Sequence, residues 1–445
     1  MKVDDVPQPA SARSSFKSLK RRILFVTTEM ADYVKVGGLG EVSAALPRAL
    51  TTGFDVRVLI PGYPEVLARH KDLVVIREMP ALAGMPSCWL AQARTPDGLD
   101  VYILINPELY EREGTPYGDG RGADWIDNDV RFGRLCSAAA DIVTGDADPS
   151  WNADLVHAND WPSALTPAYL RWRGKAAPSV ITVHNLAYQG LFPRASLNAL
   201  GVPDSAFQME GVEFYDKLSF LKAGLYYADH ITTVSANYAR EITTPQHGCG
   251  LDGLLRRRAA EGRLTGIVNG IDESWNPALD PSLAAPFESG DWRGKGVNSD
   301  VVRREFGLAV SKGPLFAVVS RLVHQKGIDF VIDAADTIVQ NGGQLVVIGK
   351  GEPQIEAALA ARCARDPQAL GLRVGYDETQ ARRIFAGADF LLMPSRFEPC
   401  GLSQMFAQRV GTLPIVHRTG GLADTVQDGV TGFQFAQLTI EALAE

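Results

Sequence analysis

The sequence predicts two α/β domains, each a parallel sheet flanked by helices, joined by a linker and facing each other across a cleft. Three observations lead there. The chain has 445 residues, too long for one compact α/β domain and comfortable for two. Short apolar runs alternate with helical patterns in both halves, the mark of parallel strands connected through helices. Between the halves the composition shifts to Pro, Gly and Ser from Trp275 to Gly296, so the boundary falls near Gly266–Trp275. The expected division is a disordered tail over 1–21, a first domain over 22–265, a linker over 266–296 and a second domain over 297–445.

Bulk properties narrow the function. Hydrophobic residues make up 46% and charged residues 22%, enough for two real cores. A net charge of -8 argues against nucleic acid or an anionic membrane as partner, so a bound anion needs a local cationic pocket. Lys17, Lys20, Arg21 and Arg22 lie in a Ser-rich start with no apolar run behind them, which reads as a solvated tail rather than a signal peptide. No stretch approaches the ~20 apolar residues of a membrane span. The five cysteines form no CxxC pair, so neither a zinc site nor a disulfide framework is expected and a reducing cytoplasm fits.

In chain order, Arg22 to Thr28 reads as a buried strand, followed by the loop Tyr33–Glu41 and a helix from Ser43 to Leu50. Gly37 and Gly38 permit close backbone approach, the helix start offers N–H donors and Lys35 adds charge. The glycine spacing matches neither the Walker nor the dinucleotide pattern, which leaves an anion cradle or a tight βα turn. Strands are expected at 55–60, 73–77, 87–93 and 100–105, a long surface loop over 110–129 and a helix over 129–142. Asp146 and Asp148 read as surface carboxylates in a polar turn, not as a magnesium-binding pair. Two strand tips follow, His157-Ala158-Asn159-Asp160 and His184-Asn185. Polar groups where parallel strands end are where open sheets bind ligands. A helix over 214–227, a strand over 229–235 and a flexible loop at 248–253 complete this half.

The second half places strands at 315–320, 344–348, 372–376, 390–393 and 412–416. The first ends in Arg321 and Lys326, five residues apart, able to converge on a diphosphate or to remain two solvated cations. The stretch Ala388–Gln404 carries the densest chemistry. Pro394 ends its strand's ladder, Arg396, Glu398 and Cys400 occupy a turn, Gly401 bends the chain and a helix begins near Leu402. A cation, a carboxylate and helix N–H groups meet there, as a ligand wall or as an ordinary turn. With Lys35 from the other domain, a leaving diphosphate would be held from both sides with no metal required. No metal-ligand spacing, GxSxG elbow or other cofactor motif is present.

Five motifs resemble bacterial glycogen synthase and plant starch synthase. They are Lys35–Val42, Thr182–Gly190, Val268–Asp272, Ser320-Arg321-Leu322 with Gln325-Lys326-Gly327, and Pro394–Gln404 with Thr419–Asp424. The resemblance runs in order from about Ile23 to the end. It implies a GT-B fold and retaining transfer of glucose from ADP-glucose to the non-reducing end of an α-1,4-glucan, as in glycogen. Carried over, Lys35, Arg321 and Lys326 would hold the diphosphate, helped by backbone at Gly37, Gly38, Cys400, Gly401, Leu402 and Ser403. His184 and Asp160 would line the glucosyl pocket with Asn269 nearby, Glu398 would hold sugar hydroxyls, and Tyr376 would lie near the adenine. No cofactor or metal is implied. Glu41 stands where many members have Asp, and Ser403 where Thr is frequent. The family also implies a further helical segment beyond residue 445, packing back on the first domain.

Overall fold

The computed structural model describes residues 20–120, 122–174 and 177–444. Residues 1–19 of the expected tail, Lys17 among them, and Glu445 lie outside the described residues. Lys20 and Arg21 already belong to the folded edge: Lys20 Nζ donates to the Thr51 carbonyl at 2.5 Å and Arg21 accepts from the Asp55 N–H at 2.9 Å.

The first sheet contains β1 (Arg22–Val26), β2 (Asp55–Pro61), β3 (Val74–Met79), β4 (Cys88–Arg94), β5 (Asp100–Ile105), β6 (Leu155–Asn159) and β7 (Ser179–Val183). A separate antiparallel trio follows, β8 (Leu191–Pro193), β9 (Glu213–Phe214) and β10 (Lys217–Ser219). Then β11 (His230–Thr233) and β12 (Leu264–Gly266) complete the first sheet in the order β12-β11-β7-β6-β1-β2-β5-β4-β3. Its centre is parallel, with Phe25 opposite both Val58 and His157. The edge β5-β4-β3 is antiparallel, because hairpin-length connections cannot make a parallel crossover. Exposed Val74, Val75 and Trp89 on β3 and β4 show why alternation there differs from the buried runs.

The second sheet contains β13 (Leu315–Val319), β14 (Gln344–Gly349), β15 (Leu370–Val374), β16 (Phe390–Met393), β17 (Leu413–His417) and β18 (Phe433–Phe435). All pairings are parallel, in the order β15-β14-β13-β16-β17-β18. This is the dinucleotide-fold order, with the connection reversing between β13 and β16. Period-2 alternation divides the strands between two cores. Ala317, Val346, Leu391 and Met393 face one side, and Val318, Leu345, Val347 and Leu392 the other. All six residues of β14 are buried, as a strand covered on both faces requires.

Several local expectations change. The helix expected over 214–227 is the β9–β10 hairpin followed by a helix over Phe220–Tyr227 only. Ser219 ends the hairpin and caps that helix by accepting from Lys222 N at 3.1 Å. The Pro/Gly/Ser-rich stretch gives its last residues to a helix, Trp292–Glu305, capped by Asp291. Asp148 is not a surface carboxylate. It is buried, accepting from the Tyr102 hydroxyl at 2.6 Å and pairing with Arg57 at 3.3 Å, while Asp146 is exposed. The described residues of the 110–129 loop are a mixture of exposed and covered positions, pinned at Tyr117, whose hydroxyl donates to Glu29 at 2.5 Å.

Candidate active site

Both sheets reverse their connection beside their first strand, at β1/β6 and at β13/β16. The carboxyl ends of those strands carry the predicted polar groups, and the two sets meet. Lys35, after β1, comes within 3.5 Å of Glu378 in the second domain and lies 5.7 Å from the centre of the Tyr376 ring. Tyr188, after β7, accepts a hydrogen bond from Arg321, after β13, at 3.1 Å. Cys400 packs into the first domain's core while Leu402 packs against the second's. The loop following β16 therefore touches both domains.

The first domain's half is built on a buried carboxylate that sequence reasoning missed. Glu29, after β1, accepts from Val36 N at 2.7 Å and Gly37 N at 3.0 Å with one oxygen and from Tyr117 with the other. The Gly37 N–H is thus committed to an internal anion and is not open to a phosphate. What Glu29 does is fold the loop that presents Lys35. The available signal was a Glu directly after an apolar strand, in Thr27-Thr28-Glu29. Gly38 opens the helix Gly38–Leu50, and a side chain there would contact Leu402 of the other domain. Lys35 itself is bound to Glu41 and reaches Glu378.

Asp160 begins a short helix after β6 with φ +54, a left-handed conformation that Asp tolerates better than most residues. Its Oδ1 accepts from His184 N at 2.7 Å and Asn185 N at 3.4 Å, tying the ends of β6 and β7 together. Burial raises its carboxyl to about 7, against those two backbone hydrogen bonds. His184 Nε2 lies 3.1 Å from Asn159 Oδ1, and Asn159 Nδ2 donates to the Val26 carbonyl at 3.1 Å. With the amide so oriented, Nε2 carries the imidazole proton. Burial, then the neighbouring His157, lowers His184 to about 3. It is a neutral hydrogen-bonding group at neutral pH, not a cation.

In the second domain Lys326 pairs with Glu398, whose side chain is 8% exposed, and Ser395 Oγ donates to the same carboxylate at 3.1 Å. Arg321 has no carboxylate partner among the described residues, and it donates to Tyr188 and to Gln325 at 3.2 Å. Arg396, expected as a cation of this turn, is engaged elsewhere: it pairs with Asp329 at 2.6 Å and lies over Phe330. Of the cations expected at the candidate site, Lys35, Arg321 and Lys326 keep contacts beside it. Cys400 is buried and its thiol is pushed up to about 12 by that burial, against hydrogen bonds from Asn269. It is a packing group. Gly401 takes φ +73, which lets the Gln404 amide donate to its carbonyl at 2.8 Å. Leu402 precedes the helix Ser403–Arg409. Tyr376 is 62% exposed, and its hydroxyl donates to Glu378 at 2.6 Å.

Comparisons with known proteins give this geometry a family. Residues 22–257 match the starch synthase catalytic domain, and residues 303–445 match glycosyl transferases group 1. Glycogen synthase 1 of Bradyrhizobium diazoefficiens is 58% identical over 93% of this chain and 89% of its own. The chain belongs to the glycogen and starch synthase family. A glycogen synthase of Pseudomonas fluorescens is likewise 58% identical, over 96% of this chain and 82% of its own. The catalytic domain of starch synthase IV from Arabidopsis thaliana, bound to ADP and acarbose, superposes with a TM-score of 0.83 at 30% identity. That match covers 96% of this chain and 90% of the other. Sucrose-phosphate synthase from Thermosynechococcus elongatus shares the fold at a TM-score of 0.59, with 18% identity over 96% of this chain and 88% of the other. As a member of the glycogen and starch synthase family, the chain is a glycosyltransferase with the two-domain GT-B fold.

Proposed function

We propose that this glycosyltransferase moves glucose from ADP-glucose to the non-reducing end of an α-1,4-glucan, with retention of configuration, in building glycogen. What supports the proposal is that strand-tip cations of both domains are engaged across the interface between them. Lys35, after β1, pairs with Glu378, Arg321, after β13, donates to Tyr188, and Lys326, also after β13, pairs with Glu398. The starch synthase IV neighbour is described as bound to ADP and acarbose, which supports an adenosine diphosphate leaving group and a glucan-like acceptor.

In this reading the bond between glucosyl C1 and the β-phosphate oxygen breaks as negative charge grows on the diphosphate. Arg321 offers a fork of donors, Lys326 and Lys35 point charges, and each stabilises the anion more as it leaves. The N–H groups of Gly38, Gly401, Leu402 and Ser403 supplement them. The acceptor 4-hydroxyl oxygen forms the new bond on the same face, and its proton goes to the departing phosphate oxygen. Because a diphosphate leaves without protonation by a protein acid, no carboxyl pair of the glycosidase kind is needed. Glu398 and His184 then hold sugar hydroxyls, Asp160 fixes the His184 backbone, Asn269 borders the sugar and Tyr376 flanks the adenine. To receive the phosphate, Lys35 exchanges its pairing with Glu41 and Glu378, and Lys326 turns part of its charge from Glu398. The expected division into domains 22–265 and 297–445 and a cytoplasmic location belong to the same proposal.

Incubating the protein and glycogen with ADP-glucose or UDP-glucose tests it. Glucose incorporation with ADP-glucose at least about tenfold faster than with UDP-glucose is expected. Faster incorporation from UDP-glucose would transfer the assignment to a different donor.

A further inference from the structure

The motif Thr419-Gly420-Gly421-Leu422 is not used by the donor chemistry above, yet its backbone is tightly committed. Gly420 takes φ +45, and a Cβ there would fall 1.8 Å from the Glu398 carbonyl oxygen. A Cβ on Gly421 would fall 2.3 Å from the Cys400 carbonyl. The Gly421 N–H donates to the Glu398 carbonyl at 3.0 Å and the Pro399 carbonyl at 3.1 Å. The Gly420 N–H turns the other way and donates to Glu241 Oε1, in the first domain, at 2.9 Å. Thr419 Oγ1 donates to the same oxygen at 3.3 Å.

Glu241 ends the first-domain helix Ala236–Glu241, and that helix accounts for the rest of the contact. At its start the Asn237 N–H donates to Asp424 Oδ2 of the second domain at 2.7 Å. Each domain thus offers a carboxylate to a backbone N–H at the start of the other's helix. Asn237 Nδ2 also donates to Glu241 Oε1 at 2.7 Å, fixing that side chain. In the middle of the helix, the Tyr238 hydroxyl accepts from Leu186 N at 3.1 Å, two residues beyond His184. One six-residue helix therefore touches the His184 loop on its own domain and, on the other, the 419–424 segment whose Gly421 N–H is bonded to the backbone of the Glu398 loop.

We propose that Glu241 and Asp424 form an interdomain latch that positions the Glu398 loop for transfer, Glu241 acting through the Gly420–Gly421 backbone. Both are positioning residues, since neither touches the three cations or the Glu398 side chain. The latch sets how far Glu398 stands from His184 across the cleft. Misplacing groups by about 1 Å costs up to about a hundredfold in rate. The proposal rests on the glucosyl-transfer reading, so its test includes a readout that needs no turnover.

Glu241→Ala, Glu241→Gln, Asp424→Ala and Asp424→Asn are compared for melting temperature, kcat, KM for ADP-glucose and amide hydrogen exchange of the 419–426 segment. Glu241→Ala is expected to lower kcat by about tenfold or more, with KM within about threefold, and to speed exchange at 419–426. Glu241→Gln keeps an acceptor oxygen and is expected to recover to within about threefold of the original kcat. Asp424 is exposed, so Asp424→Ala folds even if Glu241→Ala does not. It is expected to lower kcat about threefold or more, with Asp424→Asn recovering. Unchanged kcat in folded Glu241→Ala or in Asp424→Ala overturns the latch, as does equal impairment of the Ala and Gln variants. If the unaltered chain transfers no glucose, the functional reading fails instead. Exchange at 419–426 then decides the latch alone: faster exchange in Glu241→Ala supports it and unchanged exchange overturns it.

Discussion

Replacing Lys326 by Ala removes the cation that pairs with Glu398. The two side chains are 16% and 8% exposed, so the carboxylate left behind is buried, with Ser395 Oγ at 3.1 Å as its remaining side-chain donor. Breaking a buried pair from one side costs about 3–5 kcal/mol. The retained hydroxyl places this site at the lower end, about 3 kcal/mol. If the second domain unfolds as one unit, that corresponds to a fall of about 6–12 °C in its melting temperature. Turnover suffers separately, because one preorganised charge at the leaving diphosphate is worth about 10²–10³ in kcat. Scanning calorimetry and initial rates on Lys326→Ala, Glu398→Ala and the double variant separate the two effects. Removing both charges is expected to destabilise less than the sum of the single losses, by about 1 kcal/mol or more, while turnover stays low. Additive stability losses, or a Lys326→Ala protein as stable as the original, would refute the pairing and the argument built on it.

Other consequences are equally direct. Gly420→Ala places a Cβ against the Glu398 carbonyl at an unfavourable φ, so turnover is expected to fall about a hundredfold with unchanged far-ultraviolet circular dichroism. Tyr117→Phe removes one donor from buried Glu29 and is expected to cost about 1–3 kcal/mol in denaturant titration. The pH dependence has a definite sign. Asp160, raised to about 7, binds more protons folded than unfolded and makes stability fall with rising pH between about 4 and 7. His184, lowered to about 3, and His157, lowered to about 4, both by burial, bind fewer protons folded and make stability rise with pH up to about 6.5. Asp160→Asn removes the opposing member. It is expected to steepen the rise between about pH 4 and 6.5 by about one proton, or about 1.4 kcal/mol per pH unit, in urea titrations across that range. An unchanged slope would place Asp160 outside this balance.

The strands of both sheets and their polar tips were legible because buried parallel strands are continuous apolar runs, and because ligand groups must follow their carboxyl ends. Position singled out the strand tips that carry Arg321, Lys326, Glu398, Lys35, Asp160 and His184, while their roles came from the family resemblance. The fold sets Lys35 against Glu378 and Arg321 against Tyr188 across the two domains. What escaped depends on partners distant in sequence. Nothing near Glu29 announces that Val36, Gly37 and Tyr117 will close on it. Arg396 looks like a ligand group until Asp329, 67 residues earlier, claims it. Asp148 reads as solvated because its turn is polar, yet Tyr102 and Arg57 from neighbouring strands bury it. The β9–β10 hairpin was hidden because Phe214 and Leu218 also suit a helical stripe, and only pairing with β8 selects strand. The antiparallel edge β3–β5 went unseen for a related reason, since short apolar runs carry no direction.

Retaining transfer from ADP-glucose releases ADP and leaves an α-linkage in the same turnover. A proton nuclear magnetic resonance time course with ADP-glucose and a short α-1,4-glucan follows both products at once. ADP and new α-1,4 anomeric signals are expected to grow in equal amounts from the first turnover, with both lost in Arg321→Ala. New β-anomeric linkages, or no ADP release from the folded protein, would contradict retaining transfer.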